Sequence, residues 1–173
     1  MNSVQLLDYA VKNAFGILCD VTGDLTQAQA DWQPPGLANP IGASYWHALS
    51  SCDYVVHQWG QGQAPLSARE GWRERALSVT VPEPEHGGDW HTWMRTIRVD
   101  LPAVHDYAQA VAAATSEWLA SLAPEDLDVT IETPVGELTM GQMLETFVIW
   151  HVNAHCGEIA ALKGCQGALG YPF

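Results

Sequence analysis

At 173 residues the chain is long enough for one hydrophobic core and short for two. Twenty acidic residues against seven basic ones leave a formal charge of −13, with no basic run, which disfavours phosphate backbones and anionic lipid and favours cations. An apolar share of 47%, eight tryptophans and only 16% charged residues exclude a disordered chain.

Cysteines stand at 19, 52, 156 and 165 with no C-x-x-C spacing, and read as reduced, mostly buried small hydrophobes. The N-terminus MNSVQLLDYAVKN has no basic leader region, and no apolar stretch reaches the length of a membrane span. A cytoplasmic protein is the simplest expectation.

In chain order, Val4, Leu7, Val11, Ala14, Phe15, Leu18 and Val21 repeat at helical spacing and stop at Thr22-Gly23, which predicts the first helix. Thr26 to Gln29 has the form of a capping box and opens a single turn before Pro34-Pro35. Asn39 as N-cap with Pro40 in the first helical position predicts the second helix over about 40–59, ended by Gly60 and Gly62. Residues 60–99 carry too many prolines and glycines for a clear periodicity. A short helix is expected from Asp89, and Trp72, Trp90 and Trp93 either line a pocket or anchor this loop-like region.

The third helix reads from Asp100 and Pro102 through Val104, Tyr107, Val111, Ala114, Trp118 and Leu122, with Pro124 after its end. Residues Asp126–Leu138 alternate apolar and polar around a Pro134–Gly136 turn, as an extended excursion or small hairpin. A second capping box, Thr139 to Gln142, opens the fourth helix over Met140–Leu162. The expectation is one all-α domain over 1–173, a four-helix bundle with long connections and a short extended segment before the last helix.

The last helix carries the chemistry. His151 and His155 stand four apart on a stripe otherwise made of Met140, Leu144, Phe147 and Leu162, with Glu158 on the same face. Two imidazoles one turn apart can bind one ion; the alternative is a pair of hydrogen-bonded core histidines. A third ligand has to come from another helix. His47 is the best placed, because Ser44, Ala48 and Ser51 around it are small enough to leave room for an ion. His57, near the helix end beside Gln58, is expected to be exposed. His86, His91 and His105 read as surface residues. Asn153 and Cys156 point off the stripe, and Cys156 is expected to pack in the core.

The block Asn39-Pro-Ile-Gly-Ala-Ser-Tyr-Trp-His47 together with His151-Val-Asn-Ala-His155-Cys-Gly-Glu-Ile159 resembles the DinB/YfiT superfamily over nearly the whole chain. The resemblance implies a bundle, usually homodimeric, that binds one divalent cation through His47, His151 and His155. Zinc or nickel would suit the site, and iron or manganese could also occupy it. It further implies a thiol-dependent transferase or isomerase that uses mycothiol, bacillithiol or glutathione on a small-molecule substrate, while the acidic charge separately speaks against nucleic acid or membrane as a partner.

Three neutral imidazoles would leave coordination positions open, as catalytic sites do. Glu158 would orient an imidazole, act as general base or add a fourth ligand; otherwise it is an exposed residue near a helix end. A non-catalytic metal-binding or stress-response protein and a metal-dependent hydrolase are the alternatives. A tryptophan-lined pocket between the second and fourth helices, open to solvent, would favour an enzyme.

Overall fold

Local capping sets where most of the helices start. Asn2 accepts from the Gln5 backbone N–H while the Gln5 side chain accepts from the Asn2 N–H, and α1 runs from there over Ser3–Thr22. The same reciprocal pair at Thr26 and Gln29 opens α2 (Gln27–Asp31). The computed structural model of the protein describes residues 1–79, 82–84 and 88–172.

The main helix of the second segment, α3 (Ile41–Tyr54), departs from its predicted start. Pro40 is its N-cap: its ψ of 151° keeps it outside the helix, and its carbonyl accepts from the Ser44 N–H. No side chain caps this end. Asn39, expected in that role, has its buried Oδ1 without a partner. Past Tyr54 the helix continues as a π-helical segment over Val55–Gly60.

The proline- and glycine-rich stretch then forms α4 (Leu66–Arg69), α5 (Trp72–Ala76), β1 (Leu77–Ser78), α6 (Trp90–Met94) and β2 (Arg98–Val99). Asp89 caps α6 through the Thr92 N–H, as its position in the sequence suggests. β1 and β2 pair antiparallel, Leu77 opposite Val99.

Asp100 caps α7 (Leu101–Ala120) through the Ala103 N–H, and Val104, Tyr107, Val111, Thr115 and Leu119 are its buried face. After a 3₁₀ turn the predicted hairpin is present: β3 (Thr130–Thr133) pairs with β4 (Gly136–Thr139) across a turn whose Gly136 has φ 110°, open to glycine. The Thr139–Gln142 box starts α8 (Met140–Leu144), a π-helical segment follows over Glu145–Trp150, and α9 spans His151–Cys165.

α1 packs on α7 and α9, and α3 packs on the same two helices, which makes the four long segments a bundle around one core. The neighbourhood of α3 and α9 brings the second-helix histidine beside the last-helix pair. No helix among the described residues is long and apolar enough to cross a membrane.

Candidate metal centre

His47 on α3 meets His151 and His155 at the start of α9. The ring centroids lie 5.2 Å apart for His47 and His151, 5.1 Å for His47 and His155, and 4.6 Å for the α9 pair. One nitrogen from each ring lies within 4.8 Å of the other two. Among the described residues no other three His, Cys, Asp or Glu side chains converge in this way.

Hydrogen bonds orient two of the rings. His155 Nδ1 lies 2.7 Å from Glu158 Oε2, and Glu158 Oε1 accepts from the Ser44 hydroxyl at 3.0 Å. His47 Nδ1 lies 3.4 Å from the Ser51 hydroxyl. With Nδ1 engaged, each ring keeps Nε2 for another partner, the arrangement that outer-shell groups impose on metal-binding histidines. His151 Nε2 is buried with no hydrogen-bond partner, and a buried nitrogen in that state costs free energy unless something binds it.

Electrostatics keep the cluster ready for a cation. Burial lowers the His47 pKa, and the neighbouring His155 lowers it further while Glu158 opposes the shift. Burial, reinforced by His155 and His47, brings His151 down to about 4. Those two imidazoles are therefore neutral at pH 7, the form that donates a lone pair. Glu158 is held below the usual carboxylate range by its bond to His155, against the effect of burial. Nitrogen donors of this kind and an unpartnered buried nitrogen fit a divalent cation with positions left open.

Residues 17–159 match the family model of the DinB superfamily, a span that includes all three histidines and Glu158. The chain belongs to the DinB superfamily. Its fold is similar to that of a conserved protein from Enterococcus faecalis, with a TM-score of 0.78 at 20% identity over 94% of this chain and 96% of that one. It is also similar to the colibactin self-resistance protein ClbS in complex with double-stranded DNA, with a TM-score of 0.62 at 15% identity over 95% of this chain and 98% of that one. No curated protein matches the chain.

In this DinB-superfamily chain the histidine cluster opens onto a cavity of about 770 Å³, lined by His47 and His151 and by Trp46, Trp59, Trp90 and Trp93. This is a tryptophan-lined pocket of the kind that would favour an enzyme. Trp90 and Trp93 line it, whereas Trp72 is an anchor, 5.6 Å from the Tyr107 ring with the Arg75 guanidinium 3.8 Å from its own. π-helical turns occur in both histidine-bearing segments, one ending where His151 begins. Such irregularities recur at functional sites, where they re-aim side chains.

The remaining histidines stay away from the cluster. His57, expected to be exposed, is only 3% exposed, with Nδ1 2.8 Å from the fully buried Asp53 carboxylate. The reason lies in the chain that folds back over this helix end: Asp53 also accepts from the backbone N–H groups of Leu66 and Ser67 and from the Tyr107 hydroxyl. Asp53 thus caps α4 from a different helix and holds Pro65 and Ser67 in the cavity wall. Sequence reasoning missed it, because its partners are distant in the chain.

His91 Nε2 bonds the Leu37 carbonyl, and His105 Nδ1 lies 3.1 Å from the Tyr45 hydroxyl beside a separate cavity of about 390 Å³ between α1 and α7. His86 lies outside the described residues. Asn153 donates to the Ile149 carbonyl, away from the cluster. Cys156 is buried, its thiol pushed up to about 12 by burial, a packing residue as expected.

Proposed function

We propose that the protein is an enzyme in which His47, His151 and His155 hold one divalent cation, zinc or nickel before iron or manganese, and which transfers a low-molecular-weight thiol to a small electrophile. The observation that carries this reading is the convergence of three imidazoles, one with an unpartnered buried Nε2, at the edge of a large cavity. When bound, such an ion would lower the pKa of a coordinated thiol or water and stabilise its anion as a nucleophile.

The chain's own residues prepare that chemistry. Glu158 accepts the His155 Nδ1 proton and so keeps the Nε2 lone pair turned toward its neighbours, while Ser44 fixes the second carboxylate oxygen. Glu158 is ionised at neutral pH, which suits a proton acceptor near the reacting groups. Tryptophans make much of the cavity wall apolar.

A small molecule, not nucleic acid, is the proposed substrate. ClbS is described with double-stranded DNA, but a chain with a net charge of −13 repels phosphate backbones. A homodimer is part of the same proposal, supported by Leu6 and Tyr9 of α1, apolar residues 52% and 64% exposed.

Elemental analysis of untagged protein, beside a His151→Ala/His155→Ala variant, tests the reading first: about one equivalent of metal is expected in the wild type and none in the variant. Consumption of glutathione, mycothiol or bacillithiol with a model electrophile, abolished by chelator, tests the reaction. A metal-loaded protein inert toward every thiol would leave the hydrolase or the non-catalytic metal protein.

A further inference from the structure

We infer that the cavity beside the histidines selects an uncharged aromatic small molecule, and that this is the electrophilic substrate; the second half rests on the proposed reaction. Two aromatic groups from separate parts of the chain line the same space. Trp59 meets Phe147 edge to face at 5.3 Å and Tyr54 at 6.0 Å, and on α6 Trp90 meets Trp93 edge to face at 5.5 Å. The exposed members of these pairs, Tyr54 and Trp90, leave ring surface open for a further ring, which prefers the same offset or T-shaped geometries. Trp46, 5% exposed and stacked on Tyr107 at 5.1 Å, is a rigid part of the wall.

Exposure points the same way. Tyr54 is 47% exposed and Trp90 42%, so large apolar surfaces remain uncovered around a concavity, a cost that a bound ring would offset. A volume of about 770 Å³ is that of a small-molecule site. The polar lining argues against an anion. Besides the histidines it offers the hydroxyls of Ser50, Ser51 and Ser67, and its cation, Arg73, is paired with Glu83. With that cation neutralised and the chain at −13, no side chain of the lining is left to hold a carboxylate or phosphate on the ligand, whereas a hydroxyl or carbonyl finds hydrogen-bonding partners.

The test compares three probes on the full chain by calorimetry, with and without zinc: 1-naphthol, its saturated analogue decahydro-1-naphthol, and 1-naphthoate. Binding of 1-naphthol about five-fold or more tighter than either competitor is expected. Trp59→Leu and Trp90→Leu should each weaken it several-fold, and Trp90, at the exposed rim, can be replaced without disturbing the core. Equal affinity for the saturated analogue, preference for naphthoate in the zinc-free protein, or indifference to Trp90→Leu in a folded protein would overturn the inference. Binding of 1-naphthol by protein that takes up no zinc would support the aromatic site and defeat the metal-centre reading. Zinc uptake without 1-naphthol binding would do the reverse.

Discussion

Asp53–His57 and Glu158–His155 are both carboxylate–imidazole pairs within one helical turn, with Nδ1 2.8 Å and 2.7 Å from the carboxylate. Their surroundings differ. The side chains of the first pair are 0% and 3% exposed, and four protein groups fill the two oxygens of Asp53. The Glu158 and His155 side chains are 35% and 18% exposed, Ser44 is the other hydrogen-bond partner of the carboxylate, and the imidazole faces two more histidines. A closed pair ties segments together; an open one presents a ring to something outside the protein. The pairing itself does not mark a functional site; what sets the second pair apart is the buried, unpartnered His151 Nε2 beside it.

The largest expected effect separates the two directly. Asp53→Ala removes the hub of a buried network and strands the Leu66 and Ser67 N–H groups and the Tyr107 hydroxyl, so a loss on the order of 3–5 kcal/mol is expected by denaturant unfolding. That is a large part of the stability of a single domain. Glu158→Ala should cost about 1 kcal/mol or less in the same measurement, since the pair is partly solvated. For the proposed metal centre its expected effect is on metal affinity, a loss of about 10–100-fold by competition with a chromophoric chelator. Comparable stability losses for the two variants would erase the distinction between a closed pair and an open one.

A smaller effect of opposite sign is expected at His151. Its buried, unpartnered Nε2 is a liability in the metal-free protein, so His151→Leu should raise metal-free stability by about 1 kcal/mol while abolishing stoichiometric metal. Destabilisation of the metal-free protein by this change would mean that the ring has a structural role like that of His57.

Much of this was legible because it is local. Asn2's neighbours aside, Thr26, Asp89, Asp100 and Thr139 sit within three residues of the groups they cap, and the one-turn spacing of His151 and His155 needs only a helix. His47 emerged from a stripe of small residues and from a family resemblance, and the structure brings it to the pair. Ser44 was read only as space, yet its hydroxyl holds Glu158. Asp53 was invisible because, His57 apart, its partners lie 13, 14 and 54 residues away. His57 was misjudged for the same reason, since a helix end looks exposed until a later segment covers it. The π-helical segments Val55–Gly60 and Glu145–Trp150 carry no residue signal such as proline; a shift of backbone bonding by one residue is decided by packing between helices.

The smallest effect, a gradual one, is the pH dependence of the metal-free protein. Burial holds His47 below its ordinary value of 6.5 and His151 at about 4. Both groups take up protons in the unfolded chain before they do so in the folded one, and the unfolded state therefore gains as pH falls. Their contribution to stability is complete above pH 6.5 and is lost as pH descends toward the folded values, near 4 for His151. Glu158, also depressed, extends the loss to lower pH, where its unfolded carboxyl would protonate first. Thermal unfolding of metal-free protein should show a Tm at pH 5 below that at pH 7, with a shallower decline in His151→Leu, which has one fewer depressed imidazole. A flat Tm from pH 7 to 5 in the wild type would mean that the open cluster is as solvated as an ordinary surface, and would remove the electrostatic half of its contrast with Asp53–His57.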